Sequence, residues 1–353
     1  MAHKHEINDA IQSVLDSAKF IMGPQVFELE AQLQAYTGAK HCITCGNGTD
    51  ALQIAMMAIG IKPGDEVITT PFSFIATAET IALLGAKPVF VDIEEDSFLI
   101  DANLIAEKIT EKTRAIIPVS LYGQIADMDA INHIANEYSE KLGHRIYVIE
   151  DAAQSFGAEY KGRKSGNVSA IATTSFFPTK PLGCYGDGGA IFTSDDEIAQ
   201  VLKEIRVHGQ SRRYYHTRLG INSRLDTLQA AILLVKLKYL DEALKLRKRR
   251  AAEYDQLFKN TEVITPVTVA NRTHVYGQYT VKVKNRDDFI EALKREDIPA
   301  AIHYPVPLHR QPAFADDNTR CPVAESLSDE VVSLPMCLYS RFPFANKGIC
   351  EAV

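Results

Sequence analysis

No run of about 20 apolar residues occurs in the 353-residue chain, so no membrane-spanning helix is expected. The N-terminus, Met-Ala-His-Lys-His-Glu, lacks the apolar segment of a secretory signal. Basic residues are in the minority: 38 Lys and Arg against 45 Asp and Glu give a formal net charge of −7, which argues against a general nucleic-acid binder. Cysteine is sparse, with six residues. Cys42 and Cys45 form a lone CxxC, and no second cysteine or histidine pair stands at zinc-site spacing. No metal site is therefore expected, idle or buried thiols are the better reading, and the cytoplasm is the fitting compartment. Neither GxGxxG nor a Walker sequence is present, which disfavours a dinucleotide or ATP fold. Repeats and low-complexity tracts are also missing.

What is present is a chain that is 46% hydrophobic and 24% charged, long enough for two domains with an ample core. Ile7, Ile11 and Leu15 stand at helical spacing over 6–20, and a second amphipathic helix is predicted over 25–36, ending at Gly38. Strands are predicted over 41–44, 67–70, 88–93, 115–121 and 146–149, with helices over 51–59, 74–84, 102–109 and 127–138 between them. Repeated β-α units imply a mostly parallel sheet covered on both faces, with ligands outside the carboxyl ends of the strands. The fold class is α/β.

Cys45-Gly-Asn-Gly48-Thr49-Asp50 opens the helix over 51–59. A glycine turn at a helix start offers free backbone N–H groups and the positive end of the helix dipole, which suits a phosphate. The other reading is an ordinary cap by Thr49 or Asp50.

The chemistry is placed at Thr174-Ser175-Phe-Phe-Pro-Thr-Lys180-Pro-Leu-Gly-Cys-Tyr-Gly186-Asp-Gly188-Gly189. A strand over 172–177 feeds a turn holding one lysine, and a second strand over 189–194 leaves it. Desolvation or a nearby cation lowers a lysine's pKa and frees its amine for a Schiff base. The three glycines are expected to let the backbone turn sharply and approach a ligand. Upstream, Ile149-Glu-Asp151-Ala-Ala-Gln154 ends another strand with an acid. An acid at a strand end, paired with a lysine on a later strand-turn, is what a pyridoxal phosphate site requires: the carboxylate keeps the pyridine nitrogen protonated and the lysine carries the aldehyde.

Together, in this order, these motifs resemble the DegT/DnrJ/StrS sugar-nucleotide aminotransferases, within the fold-type I (aspartate aminotransferase-like) pyridoxal phosphate enzymes. The resemblance runs over about 23–307. It implies Lys180 and Asp151 as the catalytic pair. It also implies cofactor contacts from Gly48, from the Thr49 and Asp50 amides at the phosphate, from Phe74 stacked on the ring, from Gln154 at the phenolic oxygen, and from Ser175 at the phosphate. Read without the family, Phe74 is equally a core residue and Ser175 a strand serine with a local bond. Asn222, in the family-like segment 222–231, would reach the cofactor phosphate of the neighbouring subunit, which makes the enzyme at least a homodimer; alternatively it is a helix-entry residue.

The stretch 207–218 reads as a basic, aromatic-rich loop without helical or strand period, suited to an anion or simply solvated. A very long helix is predicted over 226–258, apolar first and charged later, bridging two domains: 1–246, binding the cofactor, and 247–353, a small α+β domain. The N-terminal helix is expected to pack on the small domain. In the latter, a strand over 278–283, a helix over 286–295 and an extended loop at Pro305 and Pro307 are predicted. His303 and Tyr304 either line the substrate pocket or are structural.

Lysine at position 180 favours transamination over the dehydratases of the family, which carry histidine there. Arg224 adds a guanidinium that forks onto a carboxylate, and with His303 and Tyr304 it points to a uronic acid. The string 207–215 also resembles members acting on a UDP-linked 2-acetamido-2-deoxy-3-oxo-glucuronate. The expected reaction is amino transfer, with L-glutamate as donor, to the 3-keto carbon of that sugar, for bacterial surface polysaccharide (lipopolysaccharide, O-antigen) synthesis. The alternatives are an aminotransferase acting at C4 or C3 of a neutral keto-6-deoxyhexose nucleotide, and a non-catalytic ligand-sensing protein on the same fold. An NAD-dependent sugar reductase is weakened by the missing fingerprint.

Overall fold

Apolar strands that alternate with amphipathic helices can bury both faces of a sheet. The computed structural model, which describes residues 3–316 and 318–336, shows them doing so. Seven strands lie in the order His41–Cys45, Gly189–Thr193, Ile171–Ser175, Tyr147–Asp151, Thr113–Ile117, Glu66–Thr69 and Lys87–Phe90. Gly189–Thr193 runs antiparallel to both neighbours, and the remaining pairs are parallel. The exception follows from the connection: the segment 176–188 between Ile171–Ser175 and Gly189–Thr193 forms only turns, whereas a parallel crossover usually runs through a helix.

Side chains alternate across the sheet with period two. Ile68, Ile116 and Val148 pack on one face with Met128 and Ile131 of helix Met128–Leu142. Val67, Ala115, Ile117, Ile149, Ile171 and Ile191 pack on the other with Leu52, Ile54 and Ala55 of helix Gly48–Ala58.

Three expectations are corrected. The segment 102–109 is not an α-helix but two 3-10 turns, Ala102–Leu104 and Ala106–Lys108. Asp101 Oδ1 accepts from the Asn103 amide at 2.9 Å, and the following bonds reach back three residues, which winds a short segment tightly. The helix predicted over 226–258 is two, Thr227–Lys238 and Leu240–Phe258, broken at Tyr239, whose amide turns back to Lys236 O. The N-terminal helix Lys4–Ser17 packs Ile7 on Ile232 and Val235 of Thr227–Lys238, rather than on the described residues of the C-terminal part.

Leu240–Phe258 places Leu240 in the core with Leu233 and Leu234, and Ala251, Tyr254 and Phe258 in a second core. That second core holds the antiparallel pair Tyr279–Lys282 and Val331–Leu334 and the helix Arg286–Arg295. Helix Pro322–Glu330 returns to the main sheet: Asp92 accepts from the Val323 and Ala324 amides, each at 2.9 Å, and Ala324 and Leu327 join the first core. Of the expected second domain, 337–353 lies outside the described residues. Cys42, Cys45, Cys184 and Cys321 are free and buried, and Cys337 and Cys350 also lie outside the described residues. Among the described residues no helix is long and apolar enough to cross a membrane.

Candidate active site

The loops at the carboxyl edge of the sheet enclose a cavity of about 770 Å³. It is lined by Gly48, Thr49, Asp50, Phe74, Asp151, Gln154, Ser175, Lys180, His303 and Tyr304, so the fold gathers every predicted site residue except Asn222 and Arg224.

The turn before helix Gly48–Ala58 is capped by Asn47. Its Oδ1 accepts from the Asp50 amide at 2.8 Å, and its carbonyl accepts from the Ala51 amide at 3.1 Å. The cap is thus neither Thr49 nor Asp50, and the Asp50 amide is committed rather than open to a phosphate. The Asp50 carboxylate is engaged too, by Ser223 Oγ at 2.6 Å. Among the described residues no acceptor takes the Gly48 and Thr49 amides, so these two N–H groups carry the anion-binding capacity of the helix start. Gly48 brings Ser175 against them: a Cβ at Gly48 would meet Ser175 Cβ at 2.7 Å.

The glycines after Lys180 serve chain packing rather than a sharp turn. None of Gly186, Gly188 and Gly189 has a left-handed φ. A Cβ at Gly189 would lie 2.4 Å from Asn47 O, and one at Gly186 would lie 2.9 Å from Gln229 Nε2. Gly189 therefore lets the second strand pass directly beneath the Asn47-Gly48 turn.

Lys180 sits in a turn closed by its own amide on Phe177 O at 2.9 Å. Its burial pulls its pKa below the usual lysine value, against the opposing pull of Asp151. Asp151, 5% exposed, ends strand Tyr147–Asp151. Oδ1 accepts from the Ala153 amide at 3.1 Å and Oδ2 from Thr77 Oγ1 at 3.0 Å. Burial raises its pKa, and Ala153, Thr77 and Lys180 act the other way. Among the described residues no cation stands within ion-pair distance of it, so the carboxylate is buried without a charge partner. That arrangement costs free energy until a cationic group arrives.

Gln154 is fixed from both ends. Oε1 accepts from the Tyr122 amide at 2.8 Å and Nε2 donates to Tyr304 OH at 3.1 Å, which leaves one N–H for a ligand. Burial raises the Tyr304 phenol, which therefore stays protonated, and lowers His303, whose Nδ1 lies 2.9 Å from Ser333 Oγ. Phe74 is not core: it is 56% exposed, with its ring 6.4 Å from that of Tyr304.

Asn222 is exposed, and Arg224 is half-buried with no partner among the described residues; both lie off this cavity. The segment is tied to it through Ser223, whose Oγ also accepts from the Gly46 amide at 2.9 Å. The expected basic loop is a hairpin, Gln210–Arg212 with Tyr215–His216, and Arg212 lies over the Tyr215 ring at 4.6 Å. Its tip is open to solvent, with Tyr214 81% exposed.

The sequence reading missed Asn47, Ser73, Thr77 and Gln278. The asparagine three residues before Asp50 was a cap signal that went to the wrong residue. Gln278 lines the cavity with a buried Oε1 that has no partner among the described residues, and nothing in its sequence context marked it.

A phosphorylated pyridine aldehyde fits this donor set. The two free amides and Ser175 suit a phosphate, an unpaired buried carboxylate suits a protonated ring nitrogen, and a half-buried amine of lowered pKa suits an aldehyde. Comparisons with known proteins agree. A model of the DegT/DnrJ/EryC1/StrS aminotransferase family matches residues 2–340. A relative from Pseudomonas aeruginosa, described as UDP-2-acetamido-2-deoxy-3-oxo-D-glucuronate aminotransferase, is 56% identical over 99% of this chain and 96% of its own length. A relative from Geobacillus stearothermophilus, described as a pleiotropic regulatory protein, is 50% identical over 94% of this chain and 90% of its own. The crystal structure of NtdA from Bacillus subtilis with bound cofactor PMP superposes with a TM-score of 0.88 at 31% identity, covering 99% of this chain and 81% of that one.

Proposed function

The chain belongs to the DegT/DnrJ/EryC1/StrS aminotransferase family, and we propose that it transfers an amino group from L-glutamate to the 3-keto carbon of UDP-2-acetamido-2-deoxy-3-oxo-glucuronate. It is a pyridoxal phosphate-dependent sugar aminotransferase of the fold-type I architecture. The observation that carries this reading is the meeting of Lys180, Asp151 and the open Gly48 and Thr49 amides in one cavity.

Bound pyridoxal phosphate supplies an aldehyde that takes up the amino group and a ring that takes up negative charge. The chain supplies the rest. Lys180 Nζ would hold the cofactor and would move the proton at the α-carbon of the donor. Its burial favours the neutral amine that this requires. The Asp151 carboxylate holds a proton on the ring nitrogen. Gly48, Thr49 and Ser175 would bind the phosphate, the remaining Gln154 N–H would orient the phenolic oxygen, and Phe74 would cover the ring. In this assignment 1–246 binds the cofactor, and the part after it closes the cavity through His303 and Tyr304.

The uronate rests on the activity by which the Pseudomonas relative is described and on Arg224, a guanidinium without an acceptor among the described residues. Arg224 and Asn222 would act on the neighbouring subunit's cavity, so the working unit is a homodimer; the exposed hairpin tip supports such an interface. The four free buried thiols among the described residues fit the cytoplasm, where nucleotide sugars for surface polysaccharides such as O-antigen are assembled. The deciding experiment is turnover on a panel of keto sugar nucleotides, read by product mass. The 3-oxo-glucuronate should be the best substrate, and equal or better turnover of a neutral 4-keto-6-deoxy sugar nucleotide would overturn the assignment.

A further inference from the structure

Helical threonines commonly return their hydroxyl to their own backbone four residues back. Thr80 does so, donating to Ala76 O at 2.9 Å. Thr77, on the same helix Ala76–Leu83, sends its hydroxyl out of the helix instead, to Oδ2 of Asp151 at 3.0 Å. Thr77 Oγ1 also lies 3.0 Å from Ser73 Oγ. Both hydroxyls are buried, Ser73 3% and Thr77 1% exposed, and both residues line the cavity.

A hydroxyl has one proton to give. With the Thr77 proton on Asp151, the Thr77 oxygen can only accept from Ser73. The two hydroxyls therefore align their protons toward the carboxylate, a small chain of dipoles ending on a negative charge. The Ala153 amide takes the other oxygen at 3.1 Å, so both carboxylate oxygens are fixed. Of the titratable groups around it, Lys180 favours the charged form of Asp151, while the Asp151 charge in turn raises Glu150 and Tyr304.

We propose that Thr77, backed by Ser73, is a positioning residue of the amino-transfer reaction, holding the Asp151 carboxylate ionised and in one orientation for the cofactor's ring nitrogen. The proposal rests on the pyridoxal phosphate reading and adds two residues to it. Thr77 acts only through Asp151.

The test uses the full-length protein loaded with pyridoxal phosphate, comparing Thr77→Val, Thr77→Ser, Ser73→Ala and Thr80→Val. Cofactor affinity and the pH midpoint of the bound cofactor's visible band are read beside kcat and KM. Loss of a hydrogen bond to a charged group predicts cofactor binding weakened about tenfold or more in Thr77→Val. The midpoint should shift, and kcat should fall with the sugar KM unchanged. Thr77→Ser should restore all of these, Ser73→Ala should lie between, and Thr80→Val should match wild type. A folded Thr77→Val with wild-type affinity and midpoint overturns the proposal. Should Thr77→Val not fold, Ser73→Ala decides: wild-type affinity and midpoint there overturn it equally. Wild-type protein that takes up no pyridoxal phosphate sinks the cofactor reading itself, and this proposal with it.

Discussion

Lys180 and Asp151 answer each other's burial across one cavity. Burial drives the lysine toward its neutral amine and the aspartate toward its neutral acid, and each opposes that drift in the other. They do so without touching, since no ion pair joins them. The gap leaves room for a flat ligand with an aldehyde at one end and a basic nitrogen at the other.

Asp151→Asn keeps the shape and removes the charge. Opposite charges about 4 Å apart at an effective dielectric near 20 interact by about 4 kcal/mol, or nearly a thousandfold in rate if felt in the transition state. The variant should fold, bind cofactor more weakly, and at saturating cofactor lose about that much of kcat. Steady-state kinetics beside a thermal melt checks this; kcat close to wild type in a folded variant contradicts it.

Gly189→Ala tests the packing role of the glycines. The added methyl has no room beside Asn47 O, a backbone atom 2.4 Å away, so the turn carrying Gly48 must shift. Overpacking of this kind costs about 1–3 kcal/mol. Both denaturant stability and pyridoxal phosphate affinity should drop. An unchanged affinity would separate the second strand from the phosphate turn.

Glu150 predicts a pH dependence of the cofactor-free protein. Its carboxyl is fully buried, bonded by Ser120 Oγ at 3.1 Å, Ser165 Oγ at 2.9 Å and the Gly166 amide at 2.8 Å. Burial outweighs these donors and pushes it from 4.5 up to about 7. The folded value lies above the unfolded one. The stability this group contributes is therefore full below about pH 4.5 and lost as pH rises through about 7. The loss is up to about 3 kcal/mol. Denaturant titrations across that window should show a shallower decline for Glu150→Gln than for wild type; parallel curves contradict the assignment.

Asn222 lies outside its own chain's cavity, which makes subunit complementation informative. Homodimers of Lys180→Ala and of Asn222→Ala should both be impaired. Mixing them should restore activity, because a mixed dimer has one site free of both changes. No recovery after demonstrated exchange of subunits would place Asn222 elsewhere.

The sheet was legible because its signal is local: apolar runs of strand length alternate with helical spacing, and that pattern alone demands two covered faces. The 3-10 turns at 102–109 were not, since Ala102, Ile105 and Ile109 present the same apolar spacing to either winding. The break at Tyr239 carries neither glycine nor proline, and the hairpin at 210–216 has short strands with both faces exposed. In the site, Lys180 and Asp151 stood out by chemistry and order. Thr77 did not, because its bond partner lies 74 residues away and only the fold brings them together.

The central claim is that Lys180 carries the cofactor. Reducing the pyridoxal phosphate-loaded protein with borohydride and mapping the label by peptide mass spectrometry tests it directly. The account predicts one labelled peptide, containing Lys180, and none in Lys180→Ala. A label on another lysine, or a turnover-competent protein that yields none, would contradict it.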